Sequence, residues 1–172
     1  MTNRLQLTLA IIKPHVVSYP FSLNDIRRII IENEFYVIRS VRQTLSKKQV
    51  EQFYDEHKSR FFYNRLITFM TSGPSESYIL AKDNSIMHWR NLMGPTKVFQ
   101  SLISHPNSIR AIHGLTDTRN ATHGSDSDES VRREVGIIFP KFSFEHWEIN
   151  EKPHFIRGNI KFNEKQFCHK IS

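Results

Sequence analysis

At 172 residues the chain fits one domain with at most a terminal appendage, and a chain of that length buries about two-thirds of its unfolded surface, enough to fold without disulfides or a structural metal. Its single cysteine, Cys168, leaves no pair to oxidise and points to a reducing compartment, while a net charge of +7 favours a polyanionic partner such as a nucleotide, a nucleic acid or an anionic membrane. The cations are scattered, with no block of five like charges and no apolar run of membrane-spanning length, so neither a nucleic-acid arm nor a membrane span is indicated.

The apolar pattern begins at Leu5, so no separate leader or transit peptide is expected. Asn120-Ala121-Thr122 is therefore expected to be a glycosylation sequon in form only. Leu5, Leu7, Leu9 and Ile11 alternate with Gln6, Thr8 and Ala10, the period-two pattern of a strand. Lys13 continues the odd-numbered row, where it either points into a cleft at the sheet face or reaches water past the strand end. Pro14 stops the ladder. Residues 22–32 carry Leu23, Ile26, Ile29 and Ile30 at helical spacing, and residues 35–42 have strand character. Ser46 is placed to cap a helix with Val50, Phe53, Tyr54 and His57 on one face. A further helix is predicted over 61–70, with Phe62 and Leu66 four apart on a shared face and Ser72-Gly73-Pro74 at its end. A short strand over 77–81 leads to a helix over 84–93 with Ile86, Trp89 and Met93 inward and Arg90 beside them. Residues 96–107 admit a short helix over 98–103 or a loop, and residues 109–115 read as a strand.

The stretch Asn120-Ala121-Thr122-His123-Gly124-Ser125-Asp126-Ser127 comes next. Gly124 lets the backbone approach a bound group closely or turn through a positive φ beside the histidine. Ser125, Asp126 and Ser127 are helix-capping types, and Asp126 with Glu129 makes a box-like start signal. Val131, Val135, Ile138 and Phe139 then follow at helical spacing until Pro140. His123 is expected just ahead of a helix N-terminus, where free N–H groups favour anions. Glu134 lies three residues after Val131 and four before Ile138, so it shares their inward face. Two readings stay open. Either the carboxylate is buried and pairs with a histidine, holding the imidazole in one tautomer as a positioned nucleophile or base, or it sits at the edge of the face and reaches water. Beyond Pro140 the pattern thins, so residues 141–172 are expected as a C-terminal extension, with Phe144 and Trp147 docking and a partly ordered tail from residue 151.

These elements suggest an α+β sheet covered by helices, without fixing the strand order. Six glycines and no G-x-x-x-x-G-K-[ST] run argue against a P-loop. A nucleotide would then have to be held by side-chain cations and a helix start, because phosphoryl transfer needs positioning and positive charge around the moving group. Lys13, Arg90 and Arg110 are the candidate cations, with Thr96 as a hydroxyl donor, although each taken singly reads as a solvated surface residue. His57, His88, His105, His113 and His123 match no zinc spacing, and one cysteine offers no thiolate cluster, so no protein metal site is expected.

Asn-Ala-Thr-His-Gly-Ser-Asp, ending at Asp126, resembles the N-x-x-H-G-S-D signature of nucleoside diphosphate kinases, and the likeness extends from Leu7 to Phe139, with a separate match at Ile12-Lys13-Pro14. Leu115-Thr116-Asp117-Thr118-Arg119-Asn120 is similar to the divergent type-6 branch of that family. The resemblance implies a ferredoxin-like βαββαβ fold, a four-stranded antiparallel sheet with added helices, over residues 1–140. It also implies a kinase that moves the γ-phosphoryl of a nucleoside triphosphate to a diphosphate through a phosphohistidine, with ping-pong kinetics and little base selectivity. On that basis His123 is the phosphoryl acceptor and Glu134 orients it. Arg90, Thr96 and Arg110 hold phosphates, while Lys13 and Asn120 contact the ribose hydroxyl and the phosphate end. Phe62 lies under the base with Leu66 near it. Mg²⁺ is expected on the nucleotide phosphates rather than in a protein cage.

The chain also departs from the family. Lys13-Pro14-His15 stands where the family has Lys-Pro-Asp, so His15 cannot supply that acid and would add positive charge if protonated. A tyrosine common after Glu-His is missing, Lys58 following Glu56-His57, and the segment up to Arg60 is shorter. The loop over residues 96–110 is longer, as surface connections readily become, which removes the expectation of a hexamer. The alternative favoured by these departures is a weakly active nucleotide-binding or scaffold protein acting through a protein partner. Cytosol and mitochondrial matrix are both expected compartments, since the type-6 branch has mitochondrial associations. Nucleic-acid binding rests on the +7 charge alone.

Overall fold

The structure, a computed structural model, describes residues 4–172. In chain order, strand β1 (Gln6–Ile12) leads through helices α1 (Pro14–Val17) and α2 (Pro20–Glu32) to β2 (Tyr36–Gln43). Helices α3 (Lys47–Phe53) and α4 (Tyr63–Met70) precede β3 (Ser75–Lys82). Three helices, α5 (Ser85–Met93), α6 (Val98–Ser104) and α7 (Ile109–His113), separate β3 from β4 (Thr122–Gly124). Then come α8 (Asp128–Ile138), α9 (Phe144–His146), α10 (Lys152–Arg157) and a hairpin of β5 (Ile160–Asn163) and β6 (Cys168–Ile171).

The main sheet has the order β2-β3-β1-β4, antiparallel throughout, which with its helices is the ferredoxin-like βαββαβ arrangement. β1 runs against β3 from Gln6 opposite Lys82 to Ile12 opposite Glu76, and its other edge sets Ile11 opposite His123. Helices cover both faces. Leu7, Leu9, Ile11 and Ile79 pack with residues of α3, α4 and α8, while Ala10, Ile12, Tyr78 and Leu80 pack with α2 and α5. Residues opposite one another across a strand pair share a face, so His123 stands with Ile11 on the α3 and α8 side. The double cover explains why Thr8 and Ala10, the polar and small members of the alternating pattern, are fully buried.

Local signals place several elements. Pro14, which ends β1, occupies the first turn of α1, where its missing N–H is no loss. Ser46 and Gln49 form a reciprocal capping box at α3. Residues 109–115 do not form the expected strand; they hold α7, because Ser108 accepts from the Ala111 N–H and Ile109, Arg110 and Ala111 are buried in succession while Ile112 is exposed. The fourth strand is β4 instead, three residues long and too short for alternation to announce it. Of the two readings of residues 96–107, the short helix is the one formed, as α6.

The segment expected as a partly ordered tail carries α10 and the β5–β6 hairpin. Trp147 is fully buried with its ring 5.1 Å from Phe155. Phe167 and Cys168 join the core on the α2 side, and His169 Nδ1 accepts from the Val37 N–H at 2.9 Å.

Candidate active site

Glu134 takes the buried alternative. It is 3% exposed, on the inward face of α8 with Val131, Val135 and Ile138. Its carboxylate lies 2.8 Å from His123 Nε2 through Oε2 and 3.0 Å through Oε1, and Ser125 Oγ donates to Oε2 at 3.1 Å. A carboxylate only accepts, so Nε2 carries the hydrogen and Nδ1 keeps the lone pair. The ring is held further by Phe53, 4.8 Å away at 74°, and the His123 carbonyl accepts from Trp89 Nε1 at 3.2 Å. Ser125 and Trp89 were not singled out as site residues from the sequence. Ser125 sat among three capping candidates, and the cap proves to be Ser127, which accepts from Ser130 N–H.

Gly124 is explained by Trp89 rather than by a bound group or a positive φ. A Cβ there would come within 2.6 Å of Trp89 Cδ1 and 2.8 Å of Met93 Cε. Gly124→Ala is expected to destabilise the fold by about 1–3 kcal/mol through overpacking and to change the tryptophan emission. Urea unfolding followed by fluorescence measures both, and an unchanged midpoint would show that the indole has room to move.

His123 and Glu134 open on a cavity of about 540 Å³ that is also lined by Lys13, Phe62, Leu66, Arg90, Thr96, Arg110 and Asn120, so all nine residues singled out from the sequence converge there. Phe62 and Leu66 come from the start of α4. Lys13 ends the odd row of β1; it does not reach water but lies 5% exposed, with Nζ donating to Thr118 O at 3.2 Å. Arg110, turned inward by α7, donates to Gly94 O at 2.9 Å and to Thr122 O at 3.0 Å. Asn120 Nδ2 donates to Thr96 O at 3.2 Å.

The cations are crowded. Burial, helped by the Arg110 charge, pushes Lys13 down to about 7. Burial and then the Arg90 charge push Arg110 down to about 10. Arg110 Nε, Asn120 Oδ1 and the Tyr54 hydroxyl are buried polar atoms without a partner among the described residues. Unpaired buried polar groups are costly, so a cavity holding two free donors, Arg110 Nε and the Tyr54 hydroxyl, beside mutually repelling cations suits an anion, while Asn120 Oδ1 is left to accept from a hydroxyl. Burial pushes His15 down to about 4, so it stays neutral near pH 7 and adds no charge. Among the described residues no three His, Cys, Asp or Glu side chains converge to hold a metal ion.

No tyrosine follows Glu56-His57, but one stands shortly before them in the chain. Tyr54, at the C-terminal end of α3, lines the cavity with its ring 6.4 Å from that of His123. From the sequence it read only as a core residue of the α3 face. Burial and then the Glu134 charge raise its phenol, which therefore stays protonated and able to donate.

A tight turn joins these parts. Ala121 takes a φ of 75°, which L side chains rarely adopt, and Thr122 N–H donates to Asn120 O across it at 3.0 Å. The Ala121 carbonyl accepts from the Lys13 N–H at 2.9 Å. The strained residue thus ties the end of β1 to the start of β4, with Lys13, Asn120 and His123 around it.

Comparison with known proteins bears on the family and the fold. The sequence profile described as nucleoside diphosphate kinase matches residues 6–144. A Danio rerio protein named nucleoside diphosphate kinase 6 is 49% identical over 167 residues, which is 97% of this chain and 95% of that one. The Homo sapiens protein of the same name is 45% identical over 168 residues, covering 98% and 90%. The crystal structure of the Aquifex aeolicus nucleoside diphosphate kinase superposes with a TM-score of 0.75 at 32% identity, over 82% of this chain and 97% of that one.

Proposed function

The chain belongs to the nucleoside diphosphate kinase family, and from that premise we propose that it transfers the γ-phosphoryl of a magnesium-bound nucleoside triphosphate to a nucleoside diphosphate through His123. The observation that carries the reading is the fixed tautomer: with Nε2–H donating to Glu134, Nδ1 holds a lone pair in a cavity rich in cations. Nδ1 attacks the γ-phosphorus, the bond from that phosphorus to the β-phosphate oxygen breaks, and the diphosphate leaves. A terminal oxygen of the second diphosphate then attacks the phosphorus on His123, and the N–P bond breaks. Glu134 keeps the Nε2 proton throughout and offsets the positive charge that grows on the ring. Lys13, Arg90 and Arg110 neutralise the phosphate oxygens and Thr96 donates to them, while Asn120 Oδ1 accepts from a ribose hydroxyl. Phe62 offers a π-face to the base, which supports broad base tolerance.

The test is a labelling experiment on purified protein with γ-labelled ATP. Acid-labile label that chases onto added diphosphates is the expected result; absence of label with nucleotide still bound would overturn the reading. A second reading, a nucleotide-binding protein that works through a partner, draws on the exposed apolar side chains Phe99, Leu102 and Ile103 of α6. Turnover of the isolated chain at about 10 s⁻¹ or faster removes it.

Lys13 gives the site a pH signature. Free, it titrates at about 7, so near pH 8 it is mostly neutral. A bound polyphosphate favours its charged form and raises it, so binding takes up a proton and affinity falls as pH rises above 7. Calorimetry of nucleotide binding near pH 8, in two buffers of different ionisation enthalpy, is expected to show uptake approaching one proton. Equal heats in both buffers would mean that Lys13 is already charged in the empty site.

Among the described residues no helix is long and apolar enough to cross a membrane.

A further inference from the structure

A groove lies at the β2 edge of the sheet, opposite the edge that carries His123. β2 is a terminal strand, so alternate N–H and C=O groups along it face away from β3. The hairpin covers only its start, where His169 takes the Val37 N–H and meets the Tyr36 ring edge-on at 5.4 Å. Past Val37 the register shifts, and residues 38–42 form one wall of a groove of about 550 Å³ whose other wall is the hairpin, with Lys165 and Lys170.

The charge there is one-sided. Arg42 stands opposite Glu76 on one face of the sheet and donates to its Oε2 at 2.7 Å, while Arg27 donates to Oε1 of the same carboxylate at 2.9 Å. Arg39 stands opposite Ile79, on the other face, and donates to Glu151 at 2.6 Å. Arg39 and Arg42 nevertheless keep 38% and 52% of their side chains exposed. Lys165 and Lys170 have no acidic partner among the described residues. Five cations against Glu76 and Glu151 leave a surplus of three positive charges.

We propose that this groove receives an extended acidic peptide of a partner protein, added to β2 as a further strand. An edge strand donates and accepts alternately, which a peptide backbone matches and a phosphodiester, which only accepts, does not. Side chains of an added strand alternate between faces, so successive acidic residues meet Arg42 on one face and Arg39 on the other. A second copy of this chain is a poor occupant, because its own β2 brings the same surplus of cations.

The full chain is titrated into a fluorescein-labelled eight-residue peptide of the repeat Thr-Glu-Glu-Thr, which puts acidic side chains on both faces of an added strand, and anisotropy is followed with excess ATP present to occupy the nucleotide cavity. Three probes are run beside it: the same peptide N-methylated at alternate residues, a Thr/Lys peptide, and oligo-dT of equal charge. The acidic peptide is expected to bind. The N-methylated and Thr/Lys peptides are expected to bind at least about tenfold more weakly. Lys165→Glu with Lys170→Glu, both exposed and unpaired, is expected to weaken the acidic peptide about tenfold or more without moving the thermal midpoint. Equal binding of the N-methylated peptide would remove the strand pairing. Tighter binding of oligo-dT would make the groove a nucleic-acid site. Self-association that the double variant alters would make it an interface between copies, and no binding of the acidic peptide would end the proposal.

Discussion

His123→Ala is expected to lower phosphoryl transfer by about 10⁴-fold or more while nucleotide affinity stays within about threefold of the parent. The asymmetry follows from the division of labour proposed for the cavity. The cations and the aromatic floor hold ground state and transition state alike, whereas the Nδ1 lone pair acts only when the N–P bond forms. Alanine leaves Lys13, Arg90 and Arg110 in place, so phosphates still find their counter-charge. It also leaves Glu134 buried with Ser125 Oγ as its remaining donor, so the melting temperature is expected to fall, and the binding measurement keeps loss of chemistry apart from loss of fold. The readouts are label on the protein from γ-labelled ATP, the rate of diphosphate phosphorylation, and a nucleotide titration. Transfer at an undiminished rate without a labelled protein would mean direct passage between two bound nucleotides, and the covalent reading would fall.

Glu134→Gln is expected to slow transfer on the order of 10²- to 10⁴-fold while folding and nucleotide affinity survive. The amide fills the same volume and still accepts from Ser125, so packing on α8 is retained. The charge that offsets the forming imidazolium-like ring is lost. The amide NH₂ also competes for Nε2 as a donor, which selects the tautomer with its proton on Nδ1 and so removes the attacking lone pair. The loss should appear in kcat with KM little changed. An unchanged rate would reduce Glu134 to a buried partner for Ser125 Oγ and leave the histidine to find its own tautomer.

Most of the sheet could be read from residue patterns, and the misses have physical causes. β1 announced itself because Leu5, Leu7, Leu9 and Ile11 keep strict alternation. Capping chemistry marked α3 through Ser46. β4 was hidden because three residues cannot show a period, and α7 was misread because Ile109, Ala111 and Ile112 fit either period over so few positions. The cavity residues came from a family signature together with single matches far apart in the chain. No periodicity could have joined Lys13 to Arg110, since their meeting depends on the strained turn at Ala121 and on the inward face of α7. Tyr54 was visible as an aromatic at the end of a helix, but not as a phenol beside the histidine, because that depends on where α3 stops. The hairpin after residue 159 escaped because its core contacts, Phe167 and Cys168, are few and lie among charged neighbours.

The crowded cations of the empty cavity also bear on how long the protein lasts. Lys13 loses part of its protonation preference to burial and the Arg110 charge, and Arg110 loses part of its own to burial and the Arg90 charge, so the unliganded chain carries an internal pressure that a bound polyphosphate would relieve. Any ligand that binds only the folded form adds stability by mass action, about 2.7 kcal/mol at a hundred times its Kd. A cell whose nucleotide pool collapses would then meet a chain that opens more often and is digested sooner, so the amount of the protein would follow the supply of nucleotide without any dedicated sensor.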